Sequence, residues 1–470
     1  MIKFKHPMYE HQVNAFEKIK KYKVGALHME MGTGKTRTIL EVIRDKENKI
    51  DKVLWLCPCS AKINIKNELE KQLVSGHELF VIAGIESLSS SIRLNSYLLD
   101  FVEKYRTLMV VDESTKIKNI NTKRAQRVIY LGSKCEYRYI LSGNPIPKNE
   151  LDLFGQYYFL DWRILGYKSE YTFQRYHAVF DKEVVTKIID TKNTDYLAAR
   201  IEPYSYKIKL DDCVDLPGKI YKEYDFGLNL DQSNMYYALA ERLMNNVSEW
   251  NPSSIYRLFS ILQGVTAGFL YNGESMEKVG YLNNVYDNPR LEILMDVVRG
   301  MTGKVIIFCE YIKEVETICG LLNKEYGKNS AVVFDGQTSI KKRNKNIEKF
   351  KAKSRFLVAN KDCAAYSLNL QFCHQVIFYN NDWDFGTREQ AEDRIYRIGQ
   401  KEKCLYIDIT CSNTIENYVI DCLRKKASLA DRFMQDVKEK EKEKDLDKII
   451  RGGKRKSKII DAEDLVDENL

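Results

Sequence analysis

A glycine-rich loop lies directly between an apolar run and a helical pattern near the start of the chain. The run Ala26–Met29 has the composition of a buried strand, the loop Glu30–Thr36 follows at once, and Thr38–Val42 continues with helical spacing. Gly32 and Gly34 let the backbone approach phosphate oxygens, and a helix N-terminus favours negative charge. This order constrains the fold to βα units on a parallel sheet, with a phosphate site at the end of a strand.

Within this loop, Lys35 offers a positive charge to the β and γ phosphates of a nucleotide, and Thr36 offers a hydroxyl to Mg²⁺. The full eight-residue pattern would have glycine at position 29, where Met29 stands. The alternative is an ordinary glycine-rich turn. The candidate nucleotide-binding residues of the loop are Gly32, Thr33, Gly34, Lys35 and Thr36.

Similar apolar runs recur and alternate with helix-like stretches, which favours parallel α/β sheets. We expect a first α/β domain over residues 1–203 and a second over residues 291–436. The expected strands after the first are Val53–Leu56, Leu108–Val111, Tyr139–Leu141, Val305–Phe308, Ala331–Phe334, Phe356–Ala359, Gln375–Tyr379 and Cys404–Ile407.

Two other segments differ in pattern from these domains. Residues 204–290 carry apolar residues at helical spacing over Asp231–Asn246 and Ser253–Phe269, so we expect a mainly helical connector. Residues 437–470 form a charged tail, basic in its first half and acidic at its end. This tail has two alternative interpretations, a solvated helix and an arm that binds nucleic acid.

The composition limits the class of protein. A chain of 470 residues is longer than single cores usually grow, so two domains are expected. With 44% hydrophobic and 30% charged residues and no apolar run of 18 or more, we expect a soluble protein with no membrane contact. Met1–Gln12 has no signal-peptide pattern, which predicts a cytoplasmic location. The net charge of +8 fits a polyanionic partner as well as simple solubility.

The cysteines do not indicate a zinc site. They number 11, are scattered, and include no Cys-x-x-Cys pair. Cys57 and Cys59 flank Pro58 at the end of an expected strand, so we interpret both as buried, reduced thiols.

A carboxylate pair follows the expected strand Leu108–Val111. Asp112 could hold hydrated Mg²⁺, and Glu113 could orient and deprotonate an attacking water. The alternative is that the pair caps a helix.

Arg394 and Arg397 are three residues apart and would share one face of a helix. Guanidinium groups from a second domain can stabilise the charge that develops on a transferred phosphoryl group. The alternative is a solvent-facing basic helix.

Taken in order, these segments resemble the motifs of helicase superfamily 2, the DEAD/DEAH-like ATPases, and specifically its Swi/Snf-type DNA translocase branch. Gln390–Gln400, with Gln-Ala, two residues, Arg, two residues and Arg-Ile-Gly-Gln, is similar to that branch's own signature. The matching segments span both expected domains and are Tyr9–Gln12, Glu30–Thr36, Leu56–Pro58, Asp112–Asn119, Leu141–Pro145, Asp335–Gly336, Leu368–Leu370 and Gln390–Gln400.

The resemblance implies two RecA-like domains, ATP and Mg²⁺ as cofactors, and double-stranded DNA as partner. Recruiting proteins are further candidate partners. It implies that Gln12 recognises adenine and that Lys35, Glu113, Arg394 and Arg397 act in hydrolysis. Ser60, Lys62, Ser87 and Asn369 would contact DNA phosphates.

Several positions depart from the family pattern, and they bear on coupling between ATP and DNA more than on hydrolysis. Ser114 and Thr115 replace Ala and His, Ser142 and Asn144 replace two threonines, Ser367 replaces a glycine, and Phe385 replaces a proline. We therefore expect a motor on duplex DNA. A strand-separating DNA or RNA helicase and a nucleotide-binding scaffold with little turnover are the alternatives.

Overall fold

The protein is described by a computed structural model that covers residues 2–147, 149–180, 188–245, 250–272, 275, 277–281, 287–364, 368–426, 428–430, 432–433, 450 and 460–461. The chain divides into two compact units, Met1–Leu216 and Pro217–Leu470.

The first unit is an α/β domain. Its strands are β1 (Lys3–Phe4), β2 (Val24–Met29), β3 (Lys52–Cys57), β4 (Leu73–Ser75), β5 (Phe80–Gly84), β6 (Thr107–Asp112), β7 (Tyr137–Ser142), β8 (Ala178–Phe180), β9 (Ile188–Thr191) and β10 (Ser205–Ile208). Its helices are α1 (Glu10–Ile19), α2 (Lys35–Asp45), α3 (Lys62–Gln72), α4 (Ser87–Ser90), α5 (Ile92–Lys104), α6 (Lys123–Ser133), α7 (Leu153–Leu165), α8 (Glu170–His177) and α9 (Thr194–Ile201).

Six parallel strands form the central sheet of this unit, in the order β10-β2-β7-β6-β3-β5. Alternate residues of each strand pack into separate apolar clusters. Leu54 and Met109 belong to one cluster, with α5, α6 and α7, and Val53 and Leu108 belong to the other, with α1, α2 and α3. Because both faces are covered, the central strands β3 and β6 are largely apolar, as the sequence predicted.

The second unit begins with a strand. Its strands are β11 (Lys219–Phe226), β12 (Phe269–Tyr271), β13 (Lys278–Tyr281), β14 (Val305–Cys309), β15 (Ala331–Phe334), β16 (Phe356–Asn360), β17 (Gln375–Phe378), β18 (Cys404–Cys411) and β19 (Ile460–Asp461). Its helices are α10 (Leu230–Asn245), α11 (Pro252–Thr266), α12 (Pro289–Arg299), α13 (Ile312–Tyr326), α14 (Ile340–Ala352), α15 (Lys361–Ala364), α16 (Phe385–Glu392) and α17 (Ile415–Arg424).

Its central sheet has the order β15-β16-β14-β17-β18-β11-β19, in which only β19 is antiparallel to its neighbour. Helix α13 packs on one face and α14 on the other. Both units are thus RecA-like parallel-sheet domains, and the fold class expected from the sequence is confirmed.

The expected helical connector differs from the structure at both of its ends. Helices α10 and α11 form, but β10 pairs in parallel with β2, so the chain stays in the first sheet past residue 203. Strand β11 then pairs with β18 along its whole length, which places it in the second sheet. The sequence of β11 alternates only weakly between polar and apolar residues, so the strand could not be distinguished from the helical pattern that follows it. The expected tail falls almost entirely outside the described residues.

No described helix combines the length and apolar character that crossing a membrane requires.

Candidate active site

The glycine-rich loop Glu30–Thr36, called the phosphate loop from here on, is folded around the ammonium group of Lys35. Gly32 and Gly34 have φ values of 85° and 87°, a left-handed conformation that glycine adopts without strain. Lys35 begins α2, and its Nζ donates to the carbonyl of Met29 at 2.7 Å and to that of Glu30 at 3.3 Å. The hydroxyl of Thr33 donates to the same Glu30 carbonyl at 2.7 Å. The loop is therefore preformed, with a cation at its centre.

Gln12 secures this loop from α1. Its side chain is buried, accepts from the backbone N–H of Tyr9 at 3.1 Å, and donates to the carbonyl of Thr33 at 3.1 Å. A Cβ at position 34 would lie 2.2 Å from Nε2 of Gln12, so the side chain fits only against glycine. The sequence suggested that Gln12 recognises adenine; in this structure its amide contacts the phosphate loop.

Replacing Gln12 with Ala should weaken nucleotide binding by roughly 5- to 10-fold, because a net hydrogen bond contributes about 1 kcal/mol. The loss can be measured by equilibrium titration with a fluorescent ATP analogue. The exposed Asn14 on the same helix provides a matched control, and Asn14→Ala should bind like the parent. Equal affinity in both variants would show that Gln12 does not support the site.

The carboxylate pair lies at the end of β6, at the same edge of the sheet as the phosphate loop. Burial, and to a lesser extent the adjacent Glu113 carboxylate, raise the pKa of the Asp112 carboxyl to about 7, against the opposing effect of the Lys35 ammonium. Because the charged form of this partly buried carboxyl is disfavoured, a bound cation would stabilise it, which fits a role as metal ligand. The Asp112 carboxylate and the Thr36 hydroxyl, together with phosphate oxygens and water, would provide the oxygen ligands that Mg²⁺ prefers.

Glu113 is held in an unusual backbone conformation. Its φ of 54° lies in the left-handed region, which costs energy for a residue with a side chain. It precedes the short 3₁₀ turn Ser114–Ile117, but its side chain makes no capping hydrogen bond to that turn. The helix-capping alternative therefore finds no support, and the strained conformation is consistent with a positioned catalytic group.

Gln156, which lies outside every motif recognised in the sequence, joins the segments Asp112–Asn119 and Leu141–Pro145. It lies buried in α7, where it accepts from the Ser114 hydroxyl at 2.6 Å and donates to the Pro145 carbonyl at 2.7 Å. Gly143, in the segment Leu141–Pro145, lies close to Lys35: a Cβ added to this glycine would be 3.6 Å from the Lys35 Nζ. The loop, the carboxylate pair and the segment Leu141–Pro145 are thus gathered at one edge. A lone glutamine within an apolar helix was the signal that could have revealed Gln156.

The DNA-contact candidates of the first unit follow neighbouring strands at this same edge. Ser60 is exposed in the turn after β3, Lys62 begins α3, and Ser87 begins α4 after β5. The Ser87 hydroxyl lies 3.3 Å from Sγ of Cys59. Cys59 is exposed, so the expectation of a buried thiol there is wrong, because the turn carries it beyond the end of β3; Cys57 is buried as expected.

In the second unit, Arg394 and Arg397 do not lie on a helix. Helix α16 ends at Glu392, and the arginines follow in a series of turns. Their guanidinium groups still converge, since Nη1 of each donates to the carbonyl of Leu368, at 3.5 Å from Arg394 and 3.3 Å from Arg397. Arg394 is buried and also donates to the Gln390 carbonyl, whereas Arg397 is only partly buried.

Gln400 fixes these turns in place. Its buried amide donates to the carbonyls of Cys373 at 2.9 Å and Ile395 at 3.1 Å, and its oxygen accepts from the backbone N–H groups of Lys401 and Glu402. The turns that carry Arg394 and Arg397, called the arginine turn from here on, are therefore tied to the segment that contains Leu368 and Cys373. Asn369, the DNA-contact candidate of this unit, is exposed in that segment.

A buried ionic network anchors α16 and was missed from the sequence. Arg388 contacts Asp408 on β18 at 2.5 Å and Glu392 at 2.8 Å, and its guanidinium also donates to the Asn381 side chain at 2.7 Å. Asp408 interrupts the apolar strand Cys404–Cys411, which was the available signal. Breaking such a buried pair leaves an uncompensated charge, so this network fixes the helix before the arginine turn.

The chain matches two protein families. Residues 62–261 match the SNF2-related domain, and residues 289–399 match the helicase conserved C-terminal domain. The two matches lie in the order that the sequence motifs predict and together cover well over half of the chain.

Known proteins resemble the chain over most of its length. It is 24% identical to an uncharacterized ATP-dependent helicase of Mycoplasma genitalium, with 88% of this chain and 40% of that protein covered. It is 25% identical to the putative ATP-dependent helicase/translocase YwqA of Bacillus subtilis, with 69% and 35% covered. The chain thus spans about two fifths of the length of the first of these relatives and about a third of the second.

Among solved structures, the SWI2/SNF2 ATPase core of Sulfolobus solfataricus in complex with dsDNA is 23% identical, with 96% of this chain and 98% of that chain covered and a TM-score of 0.41.

The two family matches and the signature Gln390–Gln400 show that the chain belongs to the Swi/Snf-type branch of helicase superfamily 2 and carries the ATPase core of that family.

Proposed function

We propose that this chain hydrolyses ATP with Mg²⁺ and uses the cycle to move along double-stranded DNA. The observation that carries the proposal is the gathering of Lys35, Asp112 and Glu113 at one edge of the first sheet. A cation for phosphates, a carboxylate for a metal ion and a base for water are the groups that ATP hydrolysis requires.

The first step is nucleotide capture. Nζ of Lys35 now donates to the Met29 and Glu30 carbonyls, and the β and γ phosphates would replace these neutral acceptors with charged ones. Asp112 and Thr36 would hold Mg²⁺, which neutralises charge on the phosphates. Glu113 orients the attacking water and accepts its proton.

The second unit would supply the arginine. Arg397 is the better candidate for contact with the γ-phosphate, because Arg394 is buried and held by the Gln390 carbonyl. In this account, ATP draws the arginine turn toward the first unit, and hydrolysis releases it. Each cycle then shifts the phosphate contacts of one unit relative to those of the other.

The contacts to DNA would be to phosphates. Ser60, Lys62, Ser87 and Asn369 offer hydroxyl, ammonium and amide donors, which bind the backbone without reading bases. The names of relatives support this partner, since a RAD54-like DNA repair and recombination protein of Drosophila persimilis is 22% identical, with 88% of this chain and 61% of that protein covered.

DNA binding should therefore depend strongly on salt and little on sequence. A site that neutralises on the order of 5 phosphates gives a slope of about −4 to −5 when log K is plotted against log salt. Fluorescence anisotropy with duplexes of unrelated sequence measures both properties. A nearly flat salt dependence, or strong preference for one sequence in competition, would contradict phosphate contacts.

ATP hydrolysis with duplex DNA, single-stranded DNA, RNA and no nucleic acid tests the proposed activity. We expect the strongest stimulation by duplex DNA. Preference for single strands or RNA would favour the strand-separating helicase, and negligible turnover under all conditions would favour the scaffold.

A further inference from the structure

One short segment of the second unit is strongly basic. Residues 340–355 contain eight Lys or Arg and one Glu, whereas the whole chain of 470 residues has a net charge of only +8. Outside this segment, basic and acidic residues nearly balance. Among the residues that the structure describes, α14 and the turn that follows it therefore carry a dense positive charge, which attracts polyanions.

Helix α14 presents this charge to solvent. Its apolar residues Ile347 and Phe350 are buried against the sheet, and Asn346 is tied to the edge strand β15 through a 2.8 Å hydrogen bond to the Val333 carbonyl. The opposite surface carries exposed lysines. These are Lys341, Lys342, Lys345, Lys351 and Lys353.

The arrangement does not serve the stability of the helix. Lys341, Lys345 and Lys349 follow one another at a spacing of four residues, and each like-charged pair at that spacing costs roughly 0.2–0.5 kcal/mol. The single acidic residue, Glu348, pairs with Lys351 at 3.0 Å. A bound polyanion would offset the remaining repulsion.

The shape and composition of the surface favour a nucleic-acid backbone over a protein partner. From Lys341 to Lys353 the lysines extend over roughly 18 Å, a length that covers several phosphates of a duplex. Protein interfaces are depleted in lysine and centred on apolar side chains. Among the described residues 341–353, no large apolar side chain is exposed.

We propose that the exposed lysines of α14 and Lys353 form a second phosphate-binding surface for duplex DNA, in addition to Ser60, Lys62, Ser87 and Asn369. This inference rests on the proposed function. It assigns to the second unit the larger share of the electrostatic affinity for DNA, and it makes that share depend on residues outside the ATP motifs.

The test compares two triple variants of the full chain. In the first, Lys342, Lys345 and Lys353 are replaced with Gln, which keeps a similar helix propensity. In the second, Lys313, Lys324 and Lys425 are replaced with Gln. These three lysines are also exposed in the second unit, but Lys313 and Lys324 lie on α13, on the other face of the sheet, and Lys425 follows α17. Both variants lose the same formal charge.

Binding to duplex DNA is measured by anisotropy over a range of salt concentrations, with thermal unfolding as the check on folding. In the α14 variant we expect a loss of affinity of roughly 10- to 100-fold at low salt and a salt slope shallower by about 3, one for each phosphate contact removed. The control variant should stay within about twofold of the parent, with an unchanged slope.

A parent-like slope in a folded α14 variant would overturn this surface while leaving the proposed function intact, provided that the parent binds duplex DNA in a salt-dependent way. Equal losses in both variants would overturn it too, because they would report net charge rather than a site. A loss on single-stranded DNA larger than on duplex DNA would contradict the duplex as its partner. A parent that binds no duplex DNA would instead contradict the proposed function.

Discussion

Replacing Glu113 with Gln should lower ATP turnover by roughly 10²- to 10⁴-fold, the range that general-base catalysis contributes. Gln keeps the size and polarity of the side chain but cannot accept the proton of the attacking water. Lys35 and Thr36 are unchanged, so ATP should still bind and should stay bound. Steady-state hydrolysis and retention of labelled ATP after gel filtration measure the two effects.

A matched control is the exposed Glu103 on α5, whose replacement with Gln should leave turnover at the parent rate. The strained backbone at Glu113 is compatible with either side chain, so loss of folding is not expected. Parent-like hydrolysis by Glu113→Gln would show that this residue is not the base.

Replacing Arg397 with Ala should lower the single-turnover rate of hydrolysis by roughly 10³-fold, as for other arginines that stabilise phosphoryl transfer. Nucleotide affinity should change little, because the phosphate loop belongs to the first unit. The measurement is single-turnover hydrolysis at saturating ATP with duplex DNA present, alongside a nucleotide titration.

Two further substitutions define the role of the guanidinium. Arg397→Lys should rescue poorly, since an ammonium keeps the charge but loses the planar fork of donors. Arg394→Ala should also lower turnover, by removing contacts to the Gln390 and Leu368 carbonyls that hold the arginine turn. Full activity in both alanine variants would exclude the second unit from catalysis.

Much of the fold could be predicted because buried parallel strands are apolar on both faces and punctuated by glycine-rich or polar ends. Strands β2, β6 and β14 are of this kind, and each was located from the sequence. Strand β11 was not, because it lies second from the edge of its sheet and is mostly half-buried, so its alternation is weak.

The local structure of the candidate site was predictable where a motif is contiguous in sequence, as in the loop Glu30–Thr36. The structure of the candidate site was not predictable where it depends on contacts between distant segments. The convergence of Arg394 and Arg397 on the Leu368 carbonyl requires a turn that no helical pattern describes. Gln156 and Asp408 are single polar residues within apolar elements, and only the structure shows what they bind.

Displacement of a third strand from a DNA triplex tests directly whether this protein moves along duplex DNA. We predict that the parent releases the third strand only with hydrolysable ATP and Mg²⁺, that the underlying duplex stays intact, and that Glu113→Gln and Arg397→Ala release little or none. Separation of the duplex strands, or retention of the third strand while duplex-stimulated hydrolysis proceeds, would contradict it.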